Sequence, residues 1–313
     1  MSYDIQVGRA ERIPFPDKHF DIVFSSPPYM TARTYGRKGI ARKCVDWVEW
    51  MLDVTDEALR VCKGPVIWVA SSCTRKRNYQ PACEGLMWEW YKRGGECHAY
   101  SPVYWNRCGI SGGGGDQWFR PDVEICMCFK RPGPLPFMNN TAMGHPPKWA
   151  PGGEMSHRIS DGKRVNQRGG TAKSGRVRKA NGGYQEPGRP SHKMHTKRKS
   201  DGTMGNQCYT PPAIVNPGNV IKNIKVGGGR MGSPLAHENE APFPEKLAEW
   251  WLLSTTRPGD TVLDPFCGSG TTIAVAHRLR RNAIGIDLRE SQVELAKRRC
   301  SMATPNLEFM EAK

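Results

Sequence analysis

Two short stretches of the chain carry residue types at spacings that could do chemistry. The first is Ser26-Pro27-Pro28-Tyr29, which follows the apolar run Asp21-Ile22-Val23-Phe24. Paired prolines cannot continue a central strand, and they fix the backbone so that its carbonyls point where they are set. A short polar side chain, a fixed carbonyl and an aromatic ring together suit a planar base with an exocyclic amine. The oxygens accept its N–H bonds, and the ring stacks on its face. Taken alone, a proline pair at a strand end is more commonly just a turn. The second stretch is Asp264-Pro265-Phe266-Cys267-Gly268-Ser269-Gly270-Thr271-Thr272. Gly268 and Gly270 permit a tight strand-to-helix turn and close approach of a ligand to the backbone. The helix start at Thr271-Thr272 offers free N–H groups to an anionic group. Asp287 lies seventeen residues after Gly270, at the end of the next apolar run. There a carboxylate can take two ribose hydroxyls. The combination predicts an adenosine-bearing cofactor. The turn is not GxGxxG, which counts against a dinucleotide, and no P-loop sequence is present to hold a nucleoside triphosphate.

These residues need a scaffold, and the chain provides one in two separated parts. In the first 130 residues strands alternate with helices. Ile22 to Phe24 reads as a strand, Val48, Met51, Leu52, Ala58 and Leu59 recur at helical spacing over about 45–62, and Gly64-Pro65 ends that helix. Val66 to Ala70, Val103 to Trp105 and Val123 to Phe129 read as further strands, with Gly112 to Asp116 as a loop between the last two. From about 237 the order returns. Leu247, Trp250, Trp251 and Ser254 share a helical face, Thr261-Val262-Leu263 is a strand, Ile273 to Leu279 continue a helix, and Ala283 to Asp287 form the next strand before a helix over Gln292–Arg299. Strand, glycine turn, helix and strand ending in an acid make a βαβ unit. Trp47, Trp50, Trp250 and Trp251 read as core or interface, and Cys267 as the small residue that the turn needs.

Composition limits the remaining possibilities. The 313 residues are 38% hydrophobic, enough for a sizeable core, yet carry a net charge of +16. Such an excess is relieved by a polyanionic partner. Residues 147–203 contain fourteen Lys or Arg against four Asp or Glu, and almost no large apolar side chains. That stretch cannot build a core of its own and reads either as a solvated linker or as a basic nucleic-acid arm. Interleaving of the charge with Trp149, Tyr184 and Tyr209 favours nucleic acid. No apolar run approaches the length of a membrane helix, and Met1 to Gln6 lacks the pattern of a signal peptide. The eleven cysteines are scattered with no CxxC pair, which predicts buried thiols in a reducing cytoplasm and neither a zinc site nor a disulfide framework.

Ser-Pro-Pro-Tyr followed later by Asp-Pro-Phe-Cys-Gly-Ser-Gly-Thr-Thr resembles the amino-group DNA methyltransferases that use S-adenosylmethionine. The order of the two motifs resembles that family's permuted β class. The similarity spans about 1–131 and 237–300, with supporting matches at Pro14 to Asp17, Trp105-Asn106-Arg107, Phe119 to Glu124 and Ala241 to Leu247. The resemblance implies a Rossmann-like α/β methyltransferase fold with circularly permuted motif order. It divides the chain into a catalytic half over 1–131, a basic target-recognition region over 132–236 and a cofactor half over 237–313. It places Asp264, Phe266, Gly268, Gly270 and Thr271 along S-adenosylmethionine, Asp287 on its ribose, and Phe243 and Lys246 near its methionine end. Ser26 and the Pro27 carbonyl would hold the target amine, Pro28 would stiffen the turn, and Tyr29 would stack on the base. Where the family usually has Gly-Asp near the start, this chain has Gly8-Arg9, so the resemblance does not carry over a contact from that acid to the cofactor adenine. Lys163, Arg164, Arg168, Arg176, Arg178, Lys179, Lys197, Arg198 and Lys199 are the candidate DNA contacts. No metal is implied. The partner would be double-stranded DNA, a homodimer is compatible with the β class, and a restriction endonuclease partner is left open. Serine at position 26 is typical of the N4-cytosine enzymes and Asp or Asn of the N6-adenine ones, so cytosine N4 is the expected acceptor and adenine N6 the alternative. No Pro-Cys dipeptide is present for cytosine-C5 chemistry. A DNA-binding module with a vestigial cofactor fold, or a methyltransferase acting on RNA or protein, are the competing readings.

Overall fold

The computed structural model describes residues 1–30, 43–98, 101–107, 119, 121–146, 213–226, 231–239 and 241–302, together with the backbone of four short strands between 177 and 208. The chain divides into two compact units, one of 1–143 with 217–313 and one of 144–216. The inserted basic region expected over 132–236 is therefore wider than the separate unit, because 132–143 and 217–236 belong to the larger one. The reason is visible in the packing: Ile221 and Ile224 are buried in its core, and the Trp105 indole Nε1 donates to the Ile224 carbonyl at 2.8 Å.

The larger unit begins with β1 (Tyr3–Val7), β2 (Ile22–Ser25), α1 (Cys44–Val61), β3 (Val66–Ala70), the hairpin strands β4 (Cys73–Arg75) and β5 (Asn78–Gln80), α2 (Ala82–Lys92), β6 (Glu96–Cys97), β7 (Val103–Asn106) and β8 (Val123–Lys130). In the smaller unit β9 (Val177–Arg178) pairs antiparallel with β10 (Tyr184–Gln185), and β11 (Met194–Arg198) with β12 (Met204–Cys208). The larger unit resumes with β13 (Val220–Ile221), a 3-10 turn over Pro234–Glu238, α3 (Glu245–Thr255), β14 (Thr261–Asp264), α4 (Thr271–Arg278), β15 (Asn282–Asp287) and α5 (Glu290–Ser301).

One sheet organises the larger unit. Its strands run in the order β1-β15-β14-β2-β3-β8-β7-β13, with β6 also paired to β8. The first five are parallel to one another, and β8 enters antiparallel between β3 and β7. Both faces are covered, so β3 is apolar and buried at every position, and β2 from Ile22 to Phe24, rather than alternating with polar residues. Ile22, Phe24, Ile67 and Val262 face Leu247 and Trp251 of α3, Ile273 of α4 and Ala296 of α5. Val23, Val66, Trp68 and Leu263 face the opposite way, onto Trp47, Met51 and Leu52 of α1 and Leu86 and Trp90 of α2. Helix α1 buries Trp47, Met51, Val54, Ala58 and Val61, one stripe at steps of three and four, and this is why it packs flat on the sheet. Among the described residues no helix is long and apolar enough to cross a membrane.

Candidate active site

Strands β14 and β2 are neighbours whose chains leave in opposite directions. From β14 the chain passes through α4 on one face to β15; from β2 it passes through α1 on the other face to β3. Their carboxyl ends thus border a crevice at the point where the winding reverses, the place where open α/β sheets bind ligands. A cavity of about 240 Å³ lies there, lined by Gly8, Arg9, Glu11, Ser26, Pro28, Trp47, Trp50, Asn239, Phe243, Phe266, Gly268, Thr271, Asp287 and Arg289 among others. Both sequence motifs therefore open onto one space, although more than two hundred residues separate them in the chain.

The glycine turn is built by close approaches. Gly268 has φ +49° and Gly270 φ +76°, left-handed conformations in which glycine carries no side-chain penalty. A Cβ on Gly270 would sit 2.9 Å from the Ala296 Cβ, so that glycine lets α5 pack against the turn and does not line the cavity. Asp287, at the end of β15, accepts the Gly268 N–H at 3.0 Å through one carboxylate oxygen and the Arg289 N–H at 2.9 Å through the other. Its carboxylate is held in place at the cavity wall and keeps lone pairs for further donors.

Asp264 has a different position. It is 1% exposed and lies outside the lining, where its Oδ1 accepts the Ser25 hydroxyl at 2.5 Å and the Phe266 N–H at 3.1 Å. Burial pushes its pKa up to about 6, against the lowering effect of those donors. Asp264 thus ties the end of β2 to the start of the glycine turn. Phe266 lines the cavity with its ring edge against Trp50 at 5.7 Å, and Phe243 does so with its ring edge against Phe24 at 5.6 Å. Lys246 is exposed on α3 and does not line the cavity.

At the end of β2 the hydrogen bonds fall selectively. The Ser25 hydroxyl is engaged with Asp264, the Pro28 carbonyl accepts the Trp47 indole N–H at 2.8 Å, and the Tyr29 hydroxyl donates to Glu124 at 2.7 Å. Among the described residues, neither Ser26 nor the Pro27 carbonyl takes part in a hydrogen bond. Glu124 is buried and also paired with Arg107 at 2.8 Å; burial raises its pKa, opposed by Arg107 and Tyr29. This places the earlier matches at Arg107 and Glu124 as the support that fixes the Tyr29 ring.

Several residues around the cavity were read otherwise or passed over in the sequence. Trp50 lines it, and its Nε1 donates to Glu11 at 2.7 Å; Trp47 is buried yet holds the Pro28 carbonyl. Their i, i+3 spacing on α1 was the available signal, since it puts both indoles on one face. Arg9 also lines the cavity, at the position where an acid is usual in the similar family. A second support was not legible at all: Glu245 accepts from Arg299 at 2.7 Å and from Arg278 at 2.5 Å, and Arg299 in turn donates to Ser269 Oγ at 3.2 Å and Thr271 Oγ1 at 2.8 Å. Arg299 is 2% exposed, and the network pins the glycine turn to α3 and α5. Of the candidate DNA contacts, Lys163, Arg164, Arg168, Arg176, Lys179 and Lys199 lie outside the described residues. Arg178 falls in β9, and Lys197 and Arg198 fall in β11, within the smaller unit.

Comparisons with known proteins agree with this architecture. Among solved structures, TTHA0409 from Thermus thermophilus superposes with a TM-score of 0.56 at 19% identity, covering 97% of this chain and 96% of that one. The PvuII DNA methyltransferase, described as cytosine-N4-specific, gives 0.58 at 15% identity over 96% of this chain and 86% of its own. These likenesses define the class: a Rossmann-like methyltransferase fold, here with the Ser-Pro-Pro-Tyr segment ahead of the glycine-turn segment in the chain. The DNA methylase family N6_N4_Mtase matches residues 20–298, and the chain belongs to that family. Curated relatives include the type II methyltransferases M2.DpnII of Streptococcus pneumoniae, 38% identical over 86 residues, and M.BglII of Bacillus subtilis, 32% identical over 119 residues. These matches take in 27% and 36% of this chain and only about a third of each relative, 32% and 31%.

Proposed function

We propose that the protein transfers a methyl group from S-adenosylmethionine to the exocyclic amine of a DNA base, with cytosine N4 as the acceptor. The observation that carries this is the pattern at the end of β2. Each neighbouring polar group is occupied, while the Ser26 hydroxyl and the Pro27 carbonyl are left to accept. Two acceptors on a stiff turn, beside a ring fixed by Glu124, suit an NH₂ group in the plane of a base.

The cavity fits the cofactor on its own terms. Asp287 offers a fixed carboxylate for ribose hydroxyls, Trp50 and Phe266 give an aromatic wall for adenine, and Gly268 lets a ligand approach the backbone. TTHA0409, which shares the fold, has been solved in complex with S-adenosyl-L-methionine. When bound, the cofactor supplies an electrophilic methyl on a sulfonium. A base amine is a poor nucleophile because its lone pair is delocalised into the ring. By accepting both N–H bonds, Ser26 and Pro27 favour the pyramidal amine and the positive charge that develops on it. The Tyr29 ring holds the base plane, so the amine is presented in line. A duplex base reaches this position only by leaving the stack, at a cost of a few kcal/mol. Serine at position 26 supports cytosine, by the family correlation.

The test is transfer of label from methyl-labelled S-adenosylmethionine into mixed-sequence duplex DNA. Label retained in the DNA and transferred about a hundredfold more slowly by Ser26→Ala supports the reading; label entering only RNA or only protein overturns it.

A further inference from the structure

The chain between β3 and α2 is a hairpin that no motif accounts for. Strands β4 and β5 pair with Arg75 opposite Asn78, which leaves Lys76 and Arg77 as a two-residue turn. Both turn residues are left-handed, Lys76 at φ +48° and Arg77 at φ +64°. A two-residue hairpin needs that geometry, and chains usually meet it with Asn-Gly or another glycine pair. Here two long cations occupy it against their backbone preference, which is a local rule broken with no gain to the fold. Arg75, Lys76 and Arg77 are all exposed, and none forms an ion pair with a described residue.

The hairpin is anchored at its base and placed beside the site. Ser72 and Tyr79 each donate to Glu84 of α2 at 2.6 Å, and the Cys83 N–H donates to Ser72 Oγ at 3.0 Å. Glu84 is thus engaged at the base of the hairpin through both of its carboxylate oxygens and forms no ion pair with the tip. Strand β3 runs parallel to β2, with Trp68 opposite Ser25. The segment after β3 therefore leaves the sheet at the same edge as Ser26 to Tyr29.

We propose that Arg75, Lys76 and Arg77 form a preorganised phosphate clamp that grips the duplex beside the extruded base. The inference rests on the DNA methyltransferase reading and adds a contact surface outside the basic 147–203 stretch. A side chain that reaches phosphate gives affinity and register without reading sequence.

The test uses the full chain with Lys76→Asn/Arg77→Gly, which installs the turn sequence that the geometry prefers. Thermal stability should hold or rise, and S-adenosylmethionine affinity should stay unchanged. Duplex affinity at 50 mM salt should fall by at least about tenfold, and the loss of affinity between 50 and 200 mM should shrink by about tenfold relative to the natural chain, as expected when two phosphate contacts are removed. Arg75→Gln, which leaves the turn residues in place, should flatten the salt slope by about one. Natural affinity and slope in both variants would overturn the clamp while leaving the methyltransferase reading standing. Failure of the natural chain to bind duplex DNA would remove both.

Discussion

At the scale of single residues, the account rests on which polar atoms are engaged and which are free. Ser26→Ala removes one of two acceptors for the amine, so kcat should fall by about a hundredfold while cofactor affinity from calorimetry stays within about twofold. Tyr29→Phe is a sharper probe, because it keeps the ring and deletes only the donor to Glu124. It should cost about 1–3 kcal/mol in denaturation, since a buried carboxylate oxygen loses its partner, and should lower turnover less than Tyr29→Ala does. Asp287→Ala would remove the proposed ribose acceptor, the bond from the Gly268 N–H in the glycine turn and the bond from the Arg289 N–H after β15. The S-adenosylmethionine Kd should rise at least about tenfold with methyl transfer at saturating cofactor largely kept, the opposite split from Ser26→Ala. At this scale the sequence was informative wherever a residue type is rare for its setting, as with paired prolines after a strand. It was silent on Asp264 lying beneath the cavity rather than in its wall, because burial follows from the pairing of β2 with β14, which brings Ser25 onto Asp264, not from local pattern.

Between elements, the glycine turn depends on a buried charge network contributed by α3, α4 and α5. Burial alone would raise the Glu245 pKa, but the bonds from Arg299 and Arg278 outweigh it and hold the pKa below its ordinary 4.5. A lowered carboxylate pKa contributes stability above the unfolded value that is lost as pH falls through the folded one. The melting temperature of the natural chain should therefore drop more between about pH 6 and about pH 3 than that of Glu245→Gln. Arg299→Met leaves part of this network unpaired in the core and should cost about 3–5 kcal/mol, with a weaker cofactor Kd because Ser269 and Thr271 lose their tether. Elements with a clean period were legible in advance, α1 through the recurrence of Val48, Met51, Leu52, Ala58 and Leu59, all buried in the structure. Helix α2 was not, because the exposed Trp88 and Tyr91 put large apolar side chains outside the buried face of Ala82, Cys83, Leu86 and Trp90 and so blur its period. Strand β1 was also missed: only Ile5 is buried, and its partner β15 lies some 280 residues away. The Glu245–Arg299 pair spans 54 residues and carries no motif.

For the whole molecule, the charge of +16 belongs with a polyanion. Affinity for duplex DNA should fall on the order of a thousandfold between 50 and 200 mM salt if about six phosphates are contacted. Replacing Lys197, Arg198 and Lys199 by Gln should flatten that dependence by about three contacts without changing cofactor affinity, and an unchanged slope would leave 147–203 as a linker. The most direct test of the central claim is to digest duplex DNA methylated by the purified protein to nucleosides and separate them by mass spectrometry. The account predicts N4-methylcytosine as the labelled product. N6-methyladenine would contradict the choice of base while keeping the chemistry of Ser26 and Pro27, and the absence of any methylated nucleoside from DNA that the protein binds would contradict the account itself.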